Sequence, residues 1–383
     1  MRMIYLDNNA TTRVADEVVA AMRPFWQEQF GNPSSIHLLG QAARHAVELA
    51  RQKVASLIGA RPREIVFTSG GTESNHLAIL GTLAACPTKR HVVTTAVEHV
   101  TVHSLVQRLA AEGARATFIG VDEKGRLDLD ALENAMDDET ALLSVMHANN
   151  ETGVIFPIAK IARIAASHNV PLHVDAVQTA GKMVLDAPSL GVSLLSLSAH
   201  KIHGPKGAGA LYVRRGVRLR GQWVGGHQER ALRPGTENVA AIVGFGTAAK
   251  LAADRIDRHA ARMAKLRDRL ERGLLERIDS AHVIGDQDER LCNTTNIAFE
   301  SLEAEAILIG LSERGLCASS GSACSSGSLE PSHVLEAMKV PRRIAHGAVR
   351  FSLSRDTTEE EIEQALQIVP DVVRQLAALS TAE

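Results

Sequence analysis

Between residues 35 and 58 the apolar positions Leu38, Leu39, Ala42, Ala46, Leu49, Ala50, Val54 and Leu57 recur at intervals of three and four, and Gly59 follows. That spacing predicts a helix with a glycine stop. Downstream, short apolar runs at 65–68, 91–94, 116–119, 142–145, 172–174 and 194–197 alternate with segments of helical period at 73–85, 101–112, 128–136 and 158–168. Strands separated by helices predict an α/β fold with a mainly parallel sheet covered on both faces.

Beyond Gly244 the texture changes. A charged stretch of helical period covers 247–278, followed by a strand pattern at 296–299, a helix at 303–314, a Ser/Gly-rich loop at 319–328, a second strand pattern at 349–353 and a last helix from about Thr358. This predicts a smaller α+β domain with a boundary near 250–265.

In such sheets ligands gather at the carboxyl ends of the strands. The polar clusters fall there: Ser69-Gly70-Gly71-Thr72-Glu73, Glu98-His99, Asn149-Asn150-Glu151, Asp175 and Ser198-Ala199-His200-Lys201. A lone loop lysine is ordinarily solvated, but one in a sheet-edge crevice loses its charge readily and can bond an aldehyde cofactor. Asp175, otherwise a turn or cap residue, could keep a pyridine nitrogen protonated. The Gly-Gly turn opening a helix could hold a phosphate on its free N–H groups. Together the three describe pyridoxal 5'-phosphate. His99 could stack on its ring and shuttle protons. Arg350 offers a fork for a substrate carboxylate, although a strand-end arginine often serves only an ion pair.

Composition narrows the partners. The 383 residues carry 42 Lys and Arg against 44 Asp and Glu, a net charge of −2. No charge excess favours nucleic acid or an anionic membrane, and neither a leader segment nor a membrane span is recognisable, so a cytoplasmic enzyme is expected. Four cysteines (Cys86, Cys292, Cys317, Cys324) match no metal or redox spacing, and no resident metal site is expected. Cys324 alone sits in a loop, Ser319–Ser328, with almost nothing apolar to bury it. An exposed, mobile thiol there reads as a nucleophile, and the other three as packing residues.

Taken in order, the motifs resemble the NifS-type cysteine desulfurases of the class-V pyridoxal-phosphate aminotransferases. The likeness runs nearly end to end, through Tyr5–Thr12, Gly31–Ser35, Thr68–Ser74, Asn149–Gly153, Asp175–Gln178, His200-Lys201, Gly225–Arg230, Gly235–Asn238 and Ser319–Leu335. It implies the aspartate-aminotransferase-type fold, with a large cofactor domain over 15–255 and a small domain, from 1–14 and 256–383, carrying the mobile Cys324 loop. It implies a homodimer acting on L-cysteine, leaving L-alanine and passing sulfur to Cys324 as a persulfide.

By the same resemblance Lys201 carries the cofactor, Asp175 holds its ring nitrogen, His99 stacks on the ring and Gln178 meets the phenolic oxygen. Gly71, Thr72, Ser198 and His200 contact the phosphate, with Ala199 beside them and Thr236 reaching in from the other subunit. Asn150 borders both cofactor and substrate, and Asn150 and Arg350 hold the substrate carboxylate. The sulfur acceptor would be an iron–sulfur scaffold or another acceptor protein, and the stretch Ser326–Val334 leans toward the nitrogen-fixation type. Cys324 would touch metal only transiently, as a ligand of a cluster during transfer. Pro234, ahead of Gly235, and Ala199, ahead of the His-Lys pair, depart from the commoner pattern without removing a functional side chain. Alternatives within this chemistry are a selenocysteine or cysteine lyase without a persulfide relay, and a desulfurase serving tRNA thiolation or DNA phosphorothioation.

Overall fold

The computed structural model describes residues 3–254, 256–321 and 331–380. A short strand, β1 (Ile4–Tyr5), opens the chain. Seven strands then build the main sheet: β2 (Ile65–Thr68), β3 (His91–Thr95), β4 (Arg115–Ile119), β5 (Thr140–Met146), β6 (Leu172–Asp175), β7 (Leu194–Ser198) and β8 (Gly209–Val213). Their order is β2-β8-β7-β6-β5-β3-β4. Every predicted apolar run is a strand here; all are buried along their length, as strands between helical layers are, except β4, which lies at the sheet edge and buries only Ile119 fully.

Strand β8 was not anticipated. It runs antiparallel to both β2 and β7, so the sheet is mixed at one edge. Its glycine makes this placement workable: a Cβ on Gly209 would lie 2.6 Å from the Cα of Gly70, so only a bare backbone can pass the Gly70-Gly71 turn so closely.

The segment 247–278, read from the sequence as one charged helical stretch, divides. Helix Val239–Ala253 is apolar nearly all round, capped by Asn238 and packed in the main core against helix Leu38–Leu57. Helix Ile256–Leu275 is amphipathic and turns Leu266, Leu270 and Leu274 into a second core. The two helices answer to different cores, which local spacing alone does not reveal.

That second core covers one face of an antiparallel sheet of order β12-β13-β10-β9, built from β9 (Ala281–Ile284), β10 (Thr294–Phe299), β12 (Ser319–Ser320) and β13 (Ala348–Ser352), whose Ile284, Ala298 and Ala348 pack in the main core. Strand β11 (Leu316–Cys317) pairs in parallel with β1. Ile4 and Leu6 therefore pack with Leu316, Phe351 and Val369, placing the N-terminal residues beside the C-terminal half. No helix among the described residues is long and apolar enough to cross a membrane.

Candidate active site

The carboxyl ends of β5, β6 and β7 open on a cavity of about 250 Å³ whose lining includes Gly71, Thr72, His99, Asn150, Asp175, Gln178, Ser198, His200 and Lys201. Nine residues singled out from the sequence are thus gathered by the sheet into one space. A larger cleft of about 570 Å³ lies around Arg51 and Glu229 and contains none of them.

Asp175 ends β6, so strand pairing aims its carboxylate at the cavity. One oxygen accepts from Asn75 Nδ2 at 2.7 Å and the other from the Val177 N–H at 3.0 Å. The two donors fix the orientation of the carboxylate. Lys201 closes the short turn after β7, and its Nζ donates to the main-chain oxygens of Asn9 and Ala10, the latter at 2.9 Å.

His99 caps helix Val100–Ala111, its Nδ1 accepting from the Thr101 N–H at 3.2 Å. Burial pushes its pKa down, with Asp175 opposing and Lys201 assisting, so the ring is held neutral at neutral pH. His200 is pushed down to about 4, by burial first and then by Lys201 and Lys206. Its Nδ1 meets Thr11 Oγ1 at 3.1 Å.

Gly71 and Thr72 occupy the first turn of helix Gly71–Ala85, where N–H groups have no intrahelical acceptor. A Cβ on Gly71 would meet Val177 Cγ2 at 2.9 Å, so glycine keeps this corner open. Ser198 Oγ is buried without a partner among the described residues. Unclaimed donors at a helix N-terminus fit a phosphate, Asp175 fits a pyridinium nitrogen and Lys201 fits an aldehyde carbon. The donor set therefore suits pyridoxal phosphate.

Arg350, on β13 of the smaller sheet, reaches Asn150 at the edge of the cavity but is not itself among the lining residues. It is buried; one guanidinium nitrogen pairs with Asp7 at 2.8 Å and the other donates to the Asn150 main-chain oxygen at 3.0 Å. Its neighbour Asn149 is structural: the carboxamide binds the backbone of Glu151, Thr152 and Val97. Ala199 opens the short turn that Lys201 closes, is fully buried and does not line the cavity. Thr236 is exposed and lies away from the cavity of its own chain. The segment leading to it is anchored by Glu229, whose positive φ of 47° is offset by a bidentate pair with Arg51 and a bond from the Phe67 N–H.

Cys324 lies outside the described residues. Cys86, Cys292 and Cys317 are free and half-buried. Burial raises the thiol pKa of Cys292 and Cys317, which suits packing rather than attack.

Sequence reasoning missed Asn75 and Asn9. Asn75 sits one helical turn beyond Gly71 and so on the same face, a spacing that could have marked it. Asn9 touches Lys201, Gln178 and Lys182 only because β1 brings the N-terminal segment across the site.

Comparison with known proteins fits this geometry. The aminotransferase class-V model matches residues 4–365. Cysteine desulfurase 2 of Trichormus variabilis is 53% identical over 380 residues, 99% of this chain and 95% of its own. Cysteine desulfurase NifS of Azotobacter vinelandii is 53% identical over 381 residues with the same shares. Among solved structures, a NifS-like protein superposes with a TM-score of 0.92 at 40% identity, covering 98% of this chain and 100% of its own. SspA in complex with cysteine gives 0.81 at 34% identity, over 92% and 99%. The chain belongs to the class-V aminotransferase family.

Proposed function

We propose that this protein is a pyridoxal-phosphate-dependent cysteine desulfurase that passes sulfur through a persulfide on Cys324 to an acceptor for iron–sulfur cluster assembly, of the nitrogen-fixation type. The observation that carries the reading is the single cavity into which Lys201, Asp175, His99 and the phosphate-suited Gly71-Thr72 turn all converge. The relatives named cysteine desulfurase, NifS among them, support the substrate and the pathway.

When bound, pyridoxal phosphate would supply an electron sink for charge at the substrate α-carbon. Lys201 Nζ holds the cofactor and moves the α-proton. Asp175, fixed by Asn75 and Val177, keeps the ring nitrogen protonated. Neutral His99 can take a proton from the substrate sulfur. Asn150 and Arg350 hold the substrate carboxylate, and Gln178 faces the phenolic oxygen. The phosphate is held by Gly71, Thr72, Ser198 and His200, with Thr236 contributed by the partner subunit.

The transfer balances: the Cβ–S bond of L-cysteine breaks, the Cys324 sulfur bonds to the departing sulfur, and the carbon skeleton takes up protons as L-alanine. Cys324 is oxidised to the persulfide level while the substrate β-carbon is reduced. The small domain (1–14 and 256–383) includes Cys324 and the large domain (15–255) the cofactor site, a division supported by the separate core around Leu270, Phe351 and Val369, although Ala298, Leu335 and Ala348 pack in the main core. A homodimer is supported by Trp26, Phe30, Ile36 and Leu38, large apolar side chains left exposed within thirteen residues.

Two variants test the reading. Cys324→Ser should lose persulfide formation and lower alanine release from L-cysteine by roughly 10²-fold, while Lys201→Ala should lower it by roughly 10³-fold or more. Full turnover in Cys324→Ser would point instead to a lyase without a relay, and normal alanine release by Lys201→Ala would end the cofactor assignment.

A further inference from the structure

Lys182 lies behind the cavity, 8% exposed, and has no place in the reaction outlined above. Among the described residues no carboxylate pairs with it. Its Nζ donates instead to two carboxamide oxygens, Gln178 Oε1 at 3.0 Å and Asn9 Oδ1 at 3.2 Å. Asn9 Oδ1 also accepts from Asn293 Nδ2, and the Asn9 main-chain oxygen accepts from both Gln178 Nε2, at 3.1 Å, and Lys201 Nζ.

A carboxamide is nearly symmetric in shape, so packing alone does not determine which end faces a ligand. A lysine amine settles it, because it meets both oxygens as a donor. With Oε1 claimed by Lys182, the Gln178 NH₂ is turned the other way. One of its hydrogens goes to Asn9 and the second is left for the cavity that Gln178 lines.

We propose that Lys182 is a positioning residue that locks the Gln178 carboxamide so that its N–H group, and not its carbonyl, meets the anionic oxygen of the cofactor ring. This rests on the assignment of Gln178 to that oxygen. The lock survives titration. Burial, with help from Lys201 and Arg350, brings Lys182 down to about 7, yet the neutral amine still has two N–H groups, enough for both oxygens. A carboxylate partner would neutralise the ammonium but would also compete for Gln178 Nε2, so a pair of neutral acceptors suits the task better.

The test is a double-mutant cycle on the dissociation constant of pyridoxal phosphate from the refolded or stripped enzyme, read together with the visible band of the bound cofactor. Lys182→Met should weaken binding by about tenfold and move the band. Gln178→Ala should weaken it similarly, and the double variant should be no worse than Gln178→Ala alone. Losses that multiply in the double variant, or wild-type affinity and spectrum in Lys182→Met, would overturn the proposal. Lys182→Gln, which keeps a side-chain N–H donor, should recover to within about threefold of wild type. If Lys182→Met does not fold, Lys182→Gln decides in the same cycle: near-wild-type affinity that depends on Gln178 supports the lock, and a loss independent of Gln178 removes it. Unchanged affinity in Gln178→Ala by itself would overturn the Gln178 assignment, separately from the role of Lys182.

Discussion

Ser332 Oγ donates a 2.6 Å hydrogen bond to Glu151 Oε2, and a methyl group added to Gly321 would overlap that same oxygen. Gly321 and Ser332 are therefore both drawn to one buried carboxyl beside Asn150. They flank the stretch that contains Cys324. Burial raises the Glu151 pKa, opposed by the Ser332 bond and the charges of His333 and Arg350.

Ser332→Ala should therefore act at the transfer step. The change also removes the Ser332 cap from the N–H of Val334, costing about 1 kcal/mol of stability. Single-turnover persulfide formation should slow several-fold while the cofactor spectrum stays unchanged. A spectrum altered as much as the transfer rate would mean that Ser332 supports the cofactor site instead.

Arg350 bridges Asp7 and Asn150 with two arms of one guanidinium, a geometry that an ammonium does not reproduce. Arg350→Lys should raise KM for L-cysteine by roughly tenfold to a hundredfold with a smaller change in kcat, the pattern of lost ground-state binding. Steady-state kinetics decide this, since a fall in kcat alone would place Arg350 outside the substrate carboxylate site.

Asp175 is fixed by donors on both oxygens, so Asp175→Asn keeps the shape while removing the charge. Binding of pyridoxal phosphate should survive within about tenfold, and alanine release should fall by roughly 10²-fold as the ring nitrogen loses its counter-charge. Equal losses in affinity and turnover would mean that Asp175 serves chiefly to hold the loop.

Glu98, next to His99, is fully buried; burial pushes its carboxyl up to about 8 from 4.5, and Oε2 has no partner among the described residues. Between those values the folded protein holds a proton that the unfolded chain releases. The stability this contributes is complete below about pH 4.5 and is lost as pH rises toward 8. Glu98→Gln, which imitates the protonated acid, should gain in thermal midpoint over wild type steadily from pH 5 to 8. A gap that stays constant across that range would show that Glu98 is ionised in the folded state.

The local part of this protein was legible in the sequence. Strand–helix alternation follows from the period of apolar positions, and residues just after strands fall at the ligand-binding edge by topology, which is why Lys201, Asp175, His99 and Gly71 could be named before any contact was known. The i, i+4 relation of Gln178 and Lys182 was equally available. Its consequence was not, because Lys182 is met by Asn9, itself held by Asn293, and these two lie 284 residues apart in the chain.

Long-range pairing decided the rest. The antiparallel β8 depends on Gly209 slipping past Gly70, and Arg350 reaches Asp7 across 343 residues of sequence. The helical stretch at 247–278 divides because two cores compete for it. Spacing along a chain encodes which face of an element is apolar; which partner covers that face is set only when distant segments close on one another.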